Sequence, residues 1–267
     1  MNFSISLQNL TVSYHGNLAL QVPSLDIAQG SICGLVGMNG AGKSTLFKAL
    51  MGLVRLQSGQ VSIYDRPSHD AQKQNRIAYM SQTEEVDWQF PISVEEVVMM
   101  GRYGYLNFLR IPRSLDRAIV RKSLEQVELW SLRHRQIGEL SGGQKKRTFL
   151  ARAIAQIMTL NQSPRPSILL LDEPFSGVDI KTEKMMIERL LELQNQGHTI
   201  LISTHSLDSI KTFCNQVILI NRTLLAYGDT STVFTPENLQ RAFSSSERPH
   251  SSPTSWLSLN REVMQWS

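Results

Sequence analysis

GMNGAGKST, residues 37–45, decides how this chain is read. It satisfies G-x-x-x-x-G-K-[ST] with Gly37, Gly42, Lys43 and Ser44, and Thr45 follows. A glycine-rich loop also occurs as a plain structural turn, so its flanks matter. An apolar run from Ile32 to Val36 precedes it, and Phe47, Leu50, Met51 and Val54 recur behind it at helical spacing. Strand, glycine loop and helix form the context in which Gly37, Met38, Asn39, Gly40, Ala41 and Gly42 turn backbone N–H groups around phosphate oxygens. The helix N-terminus adds a favourable dipole. In that context Lys43 reaches the β- and γ-phosphates, and the Ser44 hydroxyl ligates Mg2+.

Downstream, ILLLDEP at 168–174 runs four apolar residues into Asp172 and Glu173. An apolar strand delivers the two acids at its C-terminal end, where open α/β sheets bind their ligands. Asp172 is placed to hold Mg2+, directly or through water, and Glu173 to polarise an attacking water as general base. Adjacent acids at a solvated strand end are the bland alternative; the glycine loop in the same chain argues against it. Together these features read as a Mg2+-dependent nucleoside triphosphatase. No N-K-x-D guanine-reading motif occurs, which lowers the GTPase option.

The surrounding pattern is α/β. Residues 3–36 read as short strands, and QVSIYD and RIAYMSQ as two more. Residues 92–158 read as mainly helical: Ser93 and Glu96 form a capping-box pattern, Gly101 closes that helix, and another runs from about Asp116 to Leu129. From 168 onward strands alternate with helices, which predicts a mostly parallel sheet covered on both faces. NQSPRPS at 161–167 reads as a surface loop, and the Ser/Pro-rich stretch at 244–255 as part of a flexible tail. The expected division is a domain over 1–241 and a tail over 242–267.

Composition is globular: 267 residues, 41% hydrophobic, 19% charged, net charge +4. Mild basicity fits a nucleotide or an anionic membrane surface and is too weak to argue for nucleic acid. Cys33 and Cys214 lie far apart without a C-x-x-C pattern, which favours a reducing compartment. No signal peptide and no membrane-spanning run is legible, so the expectation is a cytosolic chain that needs a partner to supply any membrane span.

A further phrase, Leu140-Ser141-Gly142-Gly143-Gln144, heads a periodic helix whose stripe is Leu150, Ala153, Ile154 and Ile157. Ser141 and Gln144 fit a capping box. The two glycines bare backbone N–H groups at the helix start, a second anion site in a chain with one phosphate loop. Standing alone, LSGGQ would read as an ordinary capped helix.

It does not stand alone. GMNGAGKST, LSGGQ and ILLLDEP, with Gln82, Asp179 and His205, fall in an order that resembles the ATP-binding-cassette ATPases over residues 3–230. That resemblance implies a P-loop NTPase cassette: a RecA-like core, an antiparallel β subdomain and a helical signature subdomain. It implies ATP as ligand, Mg2+ as its ion, and two copies sandwiching two ATP molecules head to tail. Ser141, Gly142, Gly143 and Gln144 would then meet the γ-phosphate of ATP held by the other copy. Residue by residue, Tyr14 matches the aromatic that stacks on adenine, and Gln82 the glutamine that meets Mg2+ and the attacking water. Asp179 matches the aspartate that links the two ATP sites; without the resemblance it is an N-cap. His205 matches the histidine that contacts the γ-phosphate and orients Glu173.

The segment between Gln82 and LSGGQ is where such motors meet a separate membrane permease. Phe90, Val97, Val98 and Met99 offer apolar anchors there, with Trp88 and Tyr103 as larger ones; core packing would use many of the same residues, and periodicity does not separate the two uses. This segment resembles the ATPases of manganese and chelated-iron importers, with zinc importers as near relatives. The resemblance implies a motor on the cytoplasmic face of the membrane, integral permease subunits as partners, and an extracytoplasmic metal-binding protein upstream. A non-transport cassette of the iron–sulfur-assembly or repair type is the alternative.

Overall fold

The computed structural model describes residues 2–82, 90–160 and 165–244. Trp88, the first part of the 161–167 loop and nearly all of the C-terminal tail lie outside them. β1 (Phe3–Tyr14) and β2 (Asn17–Ala28) form a long antiparallel hairpin. Its turn holds His15 at φ 49° and Gly16 at φ 81°, the doubly left-handed geometry that matches strand twist. β4 (Ser58–Ile63) and the two-residue β5 (Arg66–Pro67) extend this antiparallel wing.

The wing joins a parallel core of β3 (Ile32–Val36), β6 (Ile77–Met80), β7 (Ile168–Asp172), β8 (Thr199–Ser203) and β9 (Gln216–Asn221). With β10 (Thr223–Asp229) they make one ten-stranded sheet, ordered β5-β4-β1-β2-β10-β9-β3-β8-β7-β6. The core strands are buried on both faces, and alternate residues feed different cores. Leu169, Leu171, Ile200, Ile202, Val217 and Leu219 face one side; Ile168, Leu170, Leu201, Ile218 and Ile220 face the other. Each such fully buried Leu or Ile is worth roughly 1.5–3 kcal/mol over exposure.

On the second side lie α1 (Lys43–Leu50) and the inward residues of β1 and β2. α1 begins inside the glycine loop, so its buried stripe is Leu46, Phe47, Ala49 and Leu50, one turn earlier than the periodicity of 47–54 implied. The first side is covered by α3 (Val94–Met100), α4 (Ser114–Gln126), α5 (Gly142–Ile157), α6 (Ile180–Asn195) and α7 (Leu207–Phe213). The short α2 (Ser68–Lys73) follows β5, and α8 (Thr230–Val233) and α9 (Pro236–Phe243) follow β10. α9 runs through position 241, and Ala242 is buried against the core.

Val97 and Val98, offered as docking anchors, are core residues with Met99 packed against that core, because α3 turns this face onto α4 and α5. Phe90, Met100 and Tyr103 are the exposed ones. Gly101 closes α3 as expected, with φ −59°. A Cβ there would stand 2.3 Å from Arg152 O, so close approach of the α5 backbone requires the glycine. Among the described residues no helix is long and apolar enough to cross a membrane.

Candidate nucleotide site

The C-terminal ends of β3, β7 and β8 converge, and the sheet register places their side chains. β3 runs into the glycine loop, β7 ends at Asp172, and Asp172 lies opposite Ser203 of β8. Gly42 takes φ 100°, and a Cβ on Gly37 would sit 2.3 Å from Ile220 O, so neither position accepts a side chain without distortion. Asn39 and Gly40 are exposed on the loop, whereas Ala41 is buried beneath it. No side chain caps α1 and its first turn carries no acid, so the first N–H groups of Lys43, Ser44 and Thr45 remain turned to an incoming anion.

Lys43 is nearly buried and curls across the loop. Its Nζ donates to Gly37 O at 2.7 Å and Met38 O at 3.1 Å. Burial lowers its pKa, while the charges of Glu173 and Asp172 pull it back up. The Asp172 carboxylate has both oxygens engaged: Ser44 Oγ donates to Oδ2 at 2.7 Å and Ser203 Oγ to Oδ1 at 2.5 Å. Ser44 and Asp172 thus offer two hard oxygen donors at the mouth of the loop. Mg2+ is usually held by one or two such protein groups and keeps several waters, so this donor set fits it.

Glu173 has φ 51°, unusual for a residue with a long side chain. Its N–H is held by Ser203 O at 3.1 Å and Ser203 Oγ at 3.0 Å, which secures the left-handed turn straight after the strand. His205 Nε2 lies 2.5 Å from Glu173 Oε1 with the histidine half-exposed and the glutamate buried. With its proton on Nε2 the imidazole donates to that oxygen, a contact that couples His205 to the Glu173 carboxylate.

The hairpin end carrying Tyr14 approaches the start of α1: the Ala19 carbonyl lies against Gly42, and Tyr14 pairs with Asn17. Tyr14 is 42% exposed there, leaving a ring face open to stacking. Gln82 is exposed, and its carbonyl accepts from Lys146 Nζ at 3.1 Å. Its side chain is not brought onto Asp172 or Glu173 by any contact among the described residues. Asp179 is the N-cap of α6, accepting from Thr182 N at 2.9 Å and Thr182 Oγ1 at 2.8 Å; these bonds hold its pKa low.

Ser141 caps α5, and its hydroxyl accepts from Gln144 N while Gln144 Oε1 takes the Ser141 N–H at 3.0 Å. At Gly142 and Gly143 a Cβ would meet nothing within 4 Å, and neither glycine has positive φ. Nothing within the described residues therefore requires glycine at either position.

Two residues that sequence reasoning passed over join this group. Ser203 ties Asp172 to Glu173, a role visible only once β7 and β8 are in register. Lys146 bridges α5 to the carbonyls of Gln82 at 3.1 Å and Glu173 at 3.4 Å; a lysine in a basic run carries no signal of that kind.

The ABC transporter family profile matches residues 20–176, from β2 through the two acids and beyond.

The chain belongs to the ABC transporter family.

This ABC cassette is 57% identical over 238 residues to the "Chelated iron transport system membrane protein YfeB" of Yersinia pestis, covering 89% of this chain and 78% of that one. It is 55% identical over 240 residues to the "Manganese transport system ATP-binding protein MntA" of Synechocystis sp., covering 90% and 89%. The "Zinc transport system ATP-binding protein TroB" of Treponema pallidum is 39% identical over 241 residues, covering 90% and 87%. A solved ABC transporter in an inward-facing conformation superposes with TM-score 0.75 at 30% identity, covering 91% of this chain and 89% of that one. The cassette fold, with its antiparallel wing and helical segment, is the fold these relatives share.

Proposed function

We propose that the chain is the ATP-hydrolysing motor of an importer for a transition metal ion, with manganese or chelated iron as cargo. The supporting observation is identity above one-half, over most of the chain, to relatives whose names specify those two cargoes. Zinc is the second reading, favoured by a relative at 39%. The proposed partners are a second copy of the chain, integral permease subunits at the cytoplasmic face of the membrane, and, indirectly, an extracytoplasmic metal-binding protein.

In this reading ATP lies along the glycine loop with adenine stacked on Tyr14. Lys43 exchanges its bonds to Gly37 O and Met38 O for β- and γ-phosphate oxygens. Ser44 and Asp172 would hold Mg2+ with Gln82, and the ion neutralises phosphate charge when bound. Glu173 accepts a proton from the attacking water, and His205 keeps the receiving carboxylate aimed. The water oxygen bonds to the γ-phosphorus as the bond to the β–γ bridging oxygen breaks, giving ADP and phosphate. Ser141, Gly142 and Gly143 of one copy meet the γ-phosphate held by residues 37–45 of the other, and Asp179 connects the two sites.

Metal uptake by cells lacking this chain tests the cargo. Manganese or iron uptake should fall, and should return with the wild-type chain but not with Glu173→Gln. Unchanged manganese, iron and zinc uptake would overturn the importer reading.

A further inference from the structure

The turn between α3 and α4 is built unlike a loop of a soluble surface. Its tip is a hydrogen-bonded turn in which Arg110 N donates to Asn107 O at 2.9 Å and Ile111 N to Asn107 Oδ1 at 3.3 Å. The two central positions of that turn are Phe108 and Leu109, 99% and 69% exposed, and Ile111 beside them is 56% exposed. Turn centres ordinarily carry Gly, Asn, Asp or Ser. Leu115, at the start of α4, is also exposed.

The tip is held out from the body by a rigid root. Arg102 Nε donates to Asp116 Oδ1 at 3.1 Å, with both side chains buried. Arg102 NH1 also donates to Ala155 O at 2.8 Å and Met158 O at 3.0 Å, closing the last turn of α5. Asp116 Oδ2 accepts the Arg113 N–H at 3.1 Å, and Tyr105 OH donates to Gln156 O at 2.9 Å. Both ends of the loop are therefore fastened to the C-terminal end of α5, so the exposure of Phe108 and Leu109 is not that of a slack segment.

Within the loop itself the exposed charges have one sign. Arg110, Arg113 and Arg117 are exposed, and the one acid among residues 103–118 is the buried Asp116, already neutralised by Arg102. An apolar tip whose own loop and following helix carry three exposed arginines, on a chain whose described helices include no membrane span, is complementary to a bilayer carrying anionic headgroups. We infer that Phe108, Leu109 and Ile111 insert into the headgroup layer of an anionic membrane, with Arg110, Arg113 and Arg117 pairing with lipid phosphates. This lipid contact adds to the permease contact proposed above. The arginines decide between occupants: an apolar permease groove would take the tip without them.

The test is co-sedimentation of the full chain with phosphatidylglycerol–phosphatidylcholine vesicles and with phosphatidylcholine vesicles, without nucleotide. The chain should bind the anionic vesicles and release from them as salt rises. Phe108→Ser with Leu109→Ser should lower the partition at least tenfold. Each of Arg110→Gln and Arg113→Gln should lower it about fivefold, as expected for one basic residue at an anionic surface. All these side chains are exposed, so the variants should keep the wild-type unfolding midpoint and basal ATPase rate. Equal binding to both vesicle types, or a serine variant that binds like wild type, would overturn the inference. Lost transport in cells with unchanged vesicle binding would assign the tip to the permease and overturn it equally. Because partition is read on the chain alone, it is independent of the cargo and of ATP turnover.

Discussion

Gly143→Ala separates the folding of this chain from its function. Gly142 and Gly143 open α5 in ordinary helical backbone, with open space where a Cβ would sit. A helical glycine costs backbone entropy that alanine does not, so the substitution should stabilise the isolated chain by about 0.5–1 kcal/mol. For a domain of this size that raises the thermal midpoint by roughly 1–4 °C. The same methyl would stand between the N–H groups of the α5 N-terminus and a γ-phosphate presented by a second copy. Removing one preorganised donor of that kind typically costs ~100-fold or more in turnover. Differential scanning fluorimetry and steady-state ATPase at saturating Mg-ATP read the two effects on one preparation, and ATP affinity of the monomer should not change. A destabilised variant would mean that the open space at Gly143 is not open. A stabilised variant with wild-type turnover would refute the claim that these glycines serve a phosphate held elsewhere.

Ser203→Ala removes the donor to Asp172 Oδ1 and the hydroxyl that holds Glu173 N, and should cost about 1–3 kcal/mol in urea unfolding while lowering kcat more than ATP affinity; unchanged kcat would remove Ser203 from the positioning of Glu173. Arg102→Met leaves Asp116 buried and unpaired and should cost about 3–5 kcal/mol, much of it recovered in the double variant with Asp116→Leu; an additive double would contradict the pairing. Burial pushes the Cys214 thiol up to about 12 and raises Cys33 as well, so neither should react with a thiol reagent at neutral pH until the chain unfolds. Because the unfolded chain ionises these thiols nearer their ordinary value, it binds fewer protons than the fold in alkali. Stability should therefore fall as pH rises above about 9, and less steeply in Cys214→Val; a flat urea midpoint from pH 7 to pH 10 would contradict this.

The parts of the site that the sequence shows are those whose chemistry is local. Gly37 to Thr45 declares itself because loop, lysine and hydroxyl are contiguous, and Asp172-Glu173 because an apolar strand ends on them. Ser141 and Gln144 declare a helix start by their spacing alone, and the structure contains that capping box. What depends on register or approach stays hidden. Ser203 gains its role only when β8 lies beside β7, and Gly101 only when α5 comes within reach. Val97 and Val98 read equally as docking or core residues along the sequence because burial by α4 and α5 is a tertiary fact. β10 escaped notice because its residues from Thr223 to Gly228 are all partly buried, so no alternation marks the strand. The left-handed backbone of Glu173 likewise has no sequence signal; it is imposed by the two bonds that Ser203 makes to its N–H.

In the proposed mechanism one chain carries two half-sites, and neither works until two chains meet. Glu173→Gln keeps the shape of the proposed general base and removes its proton affinity, so ATP binding should proceed without turnover. Light scattering on that variant with Mg-ATP should give twice the mass of the chain and one ATP per chain, and Ser141→Arg in the same background should bind ATP and stay monomeric. A Glu173→Gln chain that binds ATP and remains monomeric at every concentration, or a Ser141→Arg form that dimerises as well as its parent, would contradict the account.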